Sequence, residues 1–162
     1  MWGRSLLRRY ASEEALVLTS NHNHVCQVKL NKPKALNALD LPMILLLQKH
    51  LQEWNNDQSI RVVFFTGAGG KAFCAGGDIR SLYEAKHGER DPNLLSDFFR
   101  YEYTLDYGLA KMRPMQIAVY DGIVMGGGVG ISIHAPIRIA TENSTFAMPG
   151  NRYFRDRHRI LP

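Results

Sequence analysis

The chain has 162 residues, 45% of them apolar, two cysteines and a formal charge of +5 at neutral pH. This is enough for one domain with a buried core, and Cys26 and Cys74 suit a reducing compartment better than a disulfide framework or a zinc cluster. Residues 1–12 and 151–162 each carry a net +3, which leaves −1 for residues 13–150. A near-neutral body argues against a nucleic-acid face, and the lack of about eighteen consecutive apolar residues argues against a membrane span.

In chain order, residues 1–12 hold Arg4, Arg8 and Arg9 with serine, leucine and no acid, the composition of a mitochondrial transit segment. Arg8-Arg9-Tyr10 before Ala11-Ser12 also resembles a matrix-protease cleavage pattern. Glu14–Thr19 and Val25–Leu30, separated by the polar run Asn21-His22-Asn23-His24, predict a hairpin. Asp40 offers a cap and Pro42 an early helical position. Leu41, Ile44, Leu45, Gln48, Leu51 and Trp54 then fall at helical spacing, which predicts a helix over 41–54. Val62-Val63-Phe64-Phe65 is a continuous apolar run of the kind buried in a parallel sheet.

Beyond the glycine-bearing run Phe73-Cys74-Ala75-Gly76-Gly77-Asp78-Ile79, a short helix is predicted over 79–85 and a charged loop over 86–91. A second long helix over 93–112, capped by Asp91-Pro92, carries Leu94, Leu95, Phe98, Phe99, Tyr101, Leu105 and Leu109 on a broad apolar face. Gln116–Tyr120 reads as a strand, Met125-Gly126-Gly127-Gly128-Val129-Gly130 opens a helix expected to run to His134, and Ile137–Thr141 is a strand. This alternation predicts an α/β layered fold with both glycine loops on one side of a sheet.

Glycine lets a ligand approach the main chain, and two N–H groups aimed at one carbonyl oxygen make an oxyanion hole. Nucleotide readings fail on missing positions. A dinucleotide loop started at Gly126 meets Ile131 where glycine is required, and Gly67-Ala68-Gly69-Gly70-Lys71 lacks both the leading glycine, which is Phe65, and the closing hydroxyl, which is Ala72. Three adjacent glycines also suit plain close packing of helix on sheet. Cys74 lacks a base to activate it and reads as a small buried residue. His22 and His24 are too few for a metal site, and His134 reads as a packed or capping residue.

The two loops together resemble the crotonase (enoyl-CoA hydratase and isomerase) superfamily. Leu30-Asn31-Lys32-Pro33-Lys34-Ala35-Leu36-Asn37-Ala38-Leu39 resembles its coenzyme A loop. Phe98-Phe99-Arg100-Tyr101-Glu102-Tyr103, Arg138-Ile139-Ala140-Thr141 and Phe146-Ala147-Met148-Pro149 resemble the 3-hydroxyisobutyryl-CoA hydrolase branch. The resemblance covers residues 15–149 and implies a crotonase-like ββα spiral core, truncated and without its C-terminal helical part, with 150–162 a basic tail unlike the family.

By that resemblance the N–H groups of Gly77 and Gly127 form an oxyanion hole. Ala35 and Leu36 line the coenzyme A entrance, the Ala75 carbonyl meets the adenine, Asp78 joins the binding residues, and Glu102 matches a substrate-contacting position. The implied activity is thioester hydrolysis in mitochondrial valine catabolism, in the matrix, with no cofactor beyond the coenzyme A of the acyl-CoA substrate and no metal.

The pattern breaks where the hydrolase branch places a glutamate, because Gly150 follows Pro149. Hydratases carry their glutamate at the position of Gly130. Asp156 and His158 are the remaining tail groups, and a tail of this kind reads as a splice or frame variant. The chain is therefore expected to be weak or inactive and prone to self-association. An enoyl-CoA hydratase or isomerase, and a non-enzymatic crotonase-fold interaction protein of the mitochondrion, stay open as alternatives.

Overall fold

The computed structural model describes residues 16–148. The transit-like segment, Gly150, Asp156 and His158 lie outside the described residues. Val17–His22 (β1) and Val25–Leu30 (β2) form the antiparallel hairpin, with Asn23 at φ +53 in its turn. Asparagine tolerates that left-handed conformation better than most side chains. The turn is tighter than the polar run suggests, because Asn21 and His22 still pair with Cys26 and Val25.

Leu41–Asn56 (α1) starts where expected: Asp40 Oδ1 accepts from the Met43 N–H at 3.0 Å and Pro42 occupies the first turn. Its apolar row, Leu41, Met43, Ile44, Leu45, Leu47, Leu51 and Trp54, is buried. Arg113 closes its far end by donating to the carbonyls of Trp54, Asn55, Asp57 and Ile60. Those groups would otherwise be left over at a helix C-terminus.

Val62–Gly67 (β3), Met115–Tyr120 (β5) and Ile137–Ala140 (β7) complete a five-stranded sheet in the order β1-β2-β3-β5-β7. Every pair after the hairpin is parallel. Val28, Phe65 and Ala118 stand side by side across its centre, each 0% exposed.

A second sheet, not anticipated from sequence, consists of Ala72–Cys74 (β4), Ile123–Met125 (β6) and Thr145–Ala147 (β8), all parallel. Each strand of the large sheet from β3 onward is thus followed by a short strand of the small one. The two glycine loops leave β4 and β6, which are neighbours. They do share one side of a sheet, but it is this small one.

The helices between are Ile79–Lys86 (α2), Leu94–Ala110 (α3) and Gly127–Gly130 (α4). α4 is one turn of helix, not a segment reaching His134. Glycine is a poor helix former, and Ser132 draws the chain into turns by bonding the Gly128 carbonyl at 2.6 Å and the Tyr120 hydroxyl at 2.9 Å. α3 starts at Leu94, with Asp91 bonding the Asn93 N–H ahead of it. Ile137, Ile139, Phe146 and Met148 on the outer strands and beyond are exposed.

Asn37 ties the loop after β2 to both sheets. It is fully buried with φ +55, accepts from the Lys32 N–H at 2.9 Å, and donates to the carbonyls of Ala68 and Ala72 at 2.9 and 2.8 Å. Buried groups left without partners cost about 1–3 kcal/mol each. Asn37→Ala is therefore expected to lower unfolding free energy by about 3 kcal/mol, read from the shift of a urea transition; a loss under about 1 kcal/mol would contradict this role.

Candidate active site

The site begins with the loop that follows β2. Pro33–Ala35 form one 3-10 turn, and Leu36 then adopts φ +52. For a large side chain that conformation is strained, at a cost of about 1–3 kcal/mol, and it persists only where surroundings impose it. The Leu36 carbonyl accepts from the Ala75 N–H at 3.0 Å, which joins the loop holding Ala35 and Leu36 to Ala75.

Lys32 fixes this loop from below. Its ammonium sits between Asp40 at 2.6 Å and Asp78 at 2.7 Å. Both acids also cap helices, Asp40 at α1 and Asp78 at α2 through the Ser81 N–H. Burial pulls the Lys32 pKa down, but its bonds to the two carboxylates outweigh that and hold it above the ordinary value. Burial likewise pushes Asp78 up, and the bonds from Lys32 and Ser81 bring it below the usual range. The Asp78 carboxylate is thereby committed to the scaffold.

Gly77 forms a parallel bridge with Leu39: the Leu39 N–H donates to the Gly76 carbonyl at 2.8 Å and the Asp78 N–H donates to the Leu39 carbonyl at 2.7 Å. In such a bridge the middle residue turns its own N–H to the opposite side. That N–H has no acceptor among the described residues. Gly127 opens α4, and a first-turn N–H of a helix has no partner within the helix.

The loops touch through their main chains. A Cβ built on Gly76, at φ +105, would lie 3.1 Å from the Met125 carbonyl and 3.6 Å from the Gly127 nitrogen. A Cβ on Gly77 would press on the Phe98 ring at 2.9 Å. The three adjacent glycines differ in purpose. Gly126 takes φ +47, Gly127 faces Glu102 Oε1, and Gly128 packs on the Cys74 main chain. Close packing on the main chain of a strand therefore applies to Gly128, and packing against side chains to Gly127.

α3 supplies the acids behind the second glycine loop. Glu102, 6% exposed, has no hydrogen-bond or ionic partner among the described residues, and burial pushes its carboxyl up. One turn on, Asp106 is half-buried, its Oδ1 enclosed without a partner. Burial first, and then the Glu102 charge, push it up to about 7. A Cβ on Gly130 would lie 2.5 Å from Asp106 Oδ2. Sequence reasoning missed Asp106, although Leu94, Phe98, Glu102 and Asp106 form one i,i+4 row on an apolar face. Two acids continuing a buried row are the available signal.

Cys74 is 0% exposed, and burial pushes its thiol up to about 12. That suits the packing role expected of it. His134 is exposed, and no cluster of metal-ligating side chains occurs among the described residues. No helix among them is long and apolar enough to cross a membrane.

A strained loop is pinned against the first glycine turn of a ββα spiral, and a second glycine turn opens a helix beside it. The enoyl-CoA hydratase/isomerase family model matches residues 25–153, and the chain belongs to that family. It is 47% identical over 138 residues to the mitochondrial 3-hydroxyisobutyryl-CoA hydrolase of Mus musculus, and 43% identical over 139 residues to that of Homo sapiens. These matches cover 85% and 86% of this chain. The chain spans 35% of the length of each relative, about a third.

Among solved structures, a carnitinyl-CoA dehydratase from Mycobacterium thermoresistibile superposes with a TM-score of 0.78 at 36% identity, over 84% of this chain and 39% of that one. An enoyl-CoA hydratase from Rhodobacter sphaeroides gives 0.75 at 34% identity, over 83% and 40%.

The raised Asp106 pKa makes a signed prediction. Between the unfolded value near 3.8 and the folded value near 7 the native state holds the extra proton, so stability falls as pH rises through that window and levels off above it. Asp106→Asn is expected to remove this contribution to the decline, measured by thermal melts at successive pH; an unchanged profile would contradict the burial argument. Cys74 in the folded chain is expected to resist thiol reagents at pH 8 until denaturant is added.

Proposed function

We propose that this chain carries the oxyanion-binding half of an acyl-CoA thioester hydrolase of the 3-hydroxyisobutyryl-CoA type, serving valine breakdown in the mitochondrial matrix. The observation that carries the reading is the meeting of two glycine loops whose Gly77 and Gly127 N–H groups are uncommitted among the described residues. The names of the curated relatives supply the substrate and the compartment.

In this reading the thioester oxygen accepts from both N–H groups, and each donor contributes about 2.7–4 kcal/mol as negative charge builds on that oxygen. Ala35, Leu36 and Ala75 hold the coenzyme A portion, Glu102 faces the acyl group, and Asp78 acts by keeping Lys32 and the loop in place. Coenzyme A is part of the substrate, and the hydrolysis needs no further cofactor.

The hole serves attack and enolisation alike, so the reaction is chosen by the proton-transfer group. Gly150 has no side chain to move a proton where the resemblance to the hydrolase branch places a glutamate. Gly130 is likewise bare where a hydratase needs its acid, and Asp106 occupies the space its side chain would take.

A missing general acid or base costs about 10²–10⁴ in rate. The purified chain, given 3-hydroxyisobutyryl-CoA, is expected to release free thiol at least about 10² times more slowly than a full-length relative. Gly127→Ala, whose new Cβ meets Glu102, is expected to abolish what remains. Turnover equal to the relative's would overturn the slow-hydrolase reading. Hydration of an unsaturated acyl-CoA without thiol release would favour a hydratase.

A further inference from the structure

Glu102 and Asp106 lie one turn apart on α3 and press on the two ends of α4, Glu102 at Gly127 and Asp106 at Gly130. Glu102 is more than nine-tenths buried and has no partner among the described residues, and Asp106 Oδ1 is enclosed and unpaired. Two buried carboxylates without a cation cannot both ionise at low cost.

The groups facing them do not relieve this. α4 offers only glycine and valine. From β4 comes Cys74, which feels the Glu102 charge but remains a thiol through the neutral range. Glu102 is the one charged group found to act on Asp106, none of the described residues is found to act on Glu102 by its charge, and Lys32 is bound to Asp40 and Asp78.

We propose that Glu102 and Asp106 hold one proton between them behind the glycine helix, and that Asp106 is a positioning residue, its proton keeping a second charge from joining that of Glu102 near the Gly127 N–H, so that a carbonyl oxygen can bind there. With the proton on Asp106, the pair carries one negative charge, on Glu102. When it leaves, a second charge is added behind the helix, and the repulsion of the oxygen that the Gly127 N–H would receive grows. Acyl-CoA binding is then coupled to retention of one proton. The second half of this rests on the reading of Gly127 as a thioester-oxygen donor.

Two measurements test it. On the ligand-free full chain, the infrared carbonyl band of a carboxylic acid is followed from about pH 5 to 9. A band that persists to neutrality and fades above it, and that fades at lower pH in both Asp106→Asn and Glu102→Gln, supports the shared proton. Its absence from the unsubstituted chain overturns the proposal whatever the chain binds. Both substitutions are near-isosteric and remove a buried charge, so thermal melts at least as high as the parent's are expected.

Binding is then measured with free coenzyme A and with an unhydrolysable acyl-CoA ketone in which a methylene replaces sulfur. Above neutrality the ketone's affinity is expected to fall by up to tenfold per pH unit in the unsubstituted chain and to stay level in Asp106→Asn. Coenzyme A should show no such slope. An equal slope in the variant, or one shared by coenzyme A, overturns the proposal. A titrating band in a chain that binds neither probe rejects the thioester reading itself, and the Gly127 half of the proposal with it.

Discussion

The site depends on main-chain atoms approaching main-chain atoms where the two loops meet. Gly76, at φ +105, lies against Met125, Gly126 and Gly127, and Gly128 lies against Cys74 at a distance that leaves no room for a Cβ. The contact is possible because β4 and β6 are adjacent and parallel, so both strands release their loops at the same end. It also explains why the small sheet is separate from the large one. Each loop needs its own short strand, stepping off the large sheet after β3 and β5, to arrive beside the other.

Charge is distributed unevenly around that contact. At the entrance one ammonium satisfies two carboxylates that are themselves helix caps, so the loop after β2, α1 and α2 are fastened by a single group. Half-buried ion pairs repay desolvation only when further bonds satisfy them, and here the caps provide those bonds. Behind the glycine helix no cation among the described residues acts on Glu102 or Asp106. The first cluster is tuned to stay charged and rigid, whereas the second is tuned to hold a proton.

Legibility from sequence followed the length of the signal. α1 has sixteen residues with a cap, a proline and a full apolar row, and it starts where those signs place it. β3 reads as buried because Val62 to Phe65 is unbroken by polar residues. The strands β4, β6 and β8 have three residues each, too short for a period of two to show. α4 is hidden for another reason: glycine lowers helix propensity, and the turn is held by Ser132, Tyr120 and Gln116, whose Nε2 bonds the Ile131 carbonyl at 2.8 Å. Such tertiary bonds leave no local trace. The glycine loops were legible because both their composition and their spacing are unusual, and the strain at Leu36 was not, because a leucine in the left-handed region has no sequence signature.

The geometry around Gly130 bears on how one scaffold divides among reactions. The solved structures that share this fold include a dehydratase and a hydratase, while the curated relatives at higher identity are hydrolases. A main-chain hole does not distinguish these chemistries, since it stabilises an oxyanion whatever attacks or departs. A carboxyl group near the helix that opens at Gly127 can come from different elements. A side chain at position 130 would place that group on the glycine helix itself. Here the position is bare, and α3 fills the same space with Asp106. The two arrangements exclude each other sterically. A carboxylate on α3 is also held on the packed face of a long helix, where burial and a neighbouring Glu102 raise the cost of its charge. Moving the acid from a one-turn helix to a seventeen-residue one therefore changes its proton affinity as well as its place.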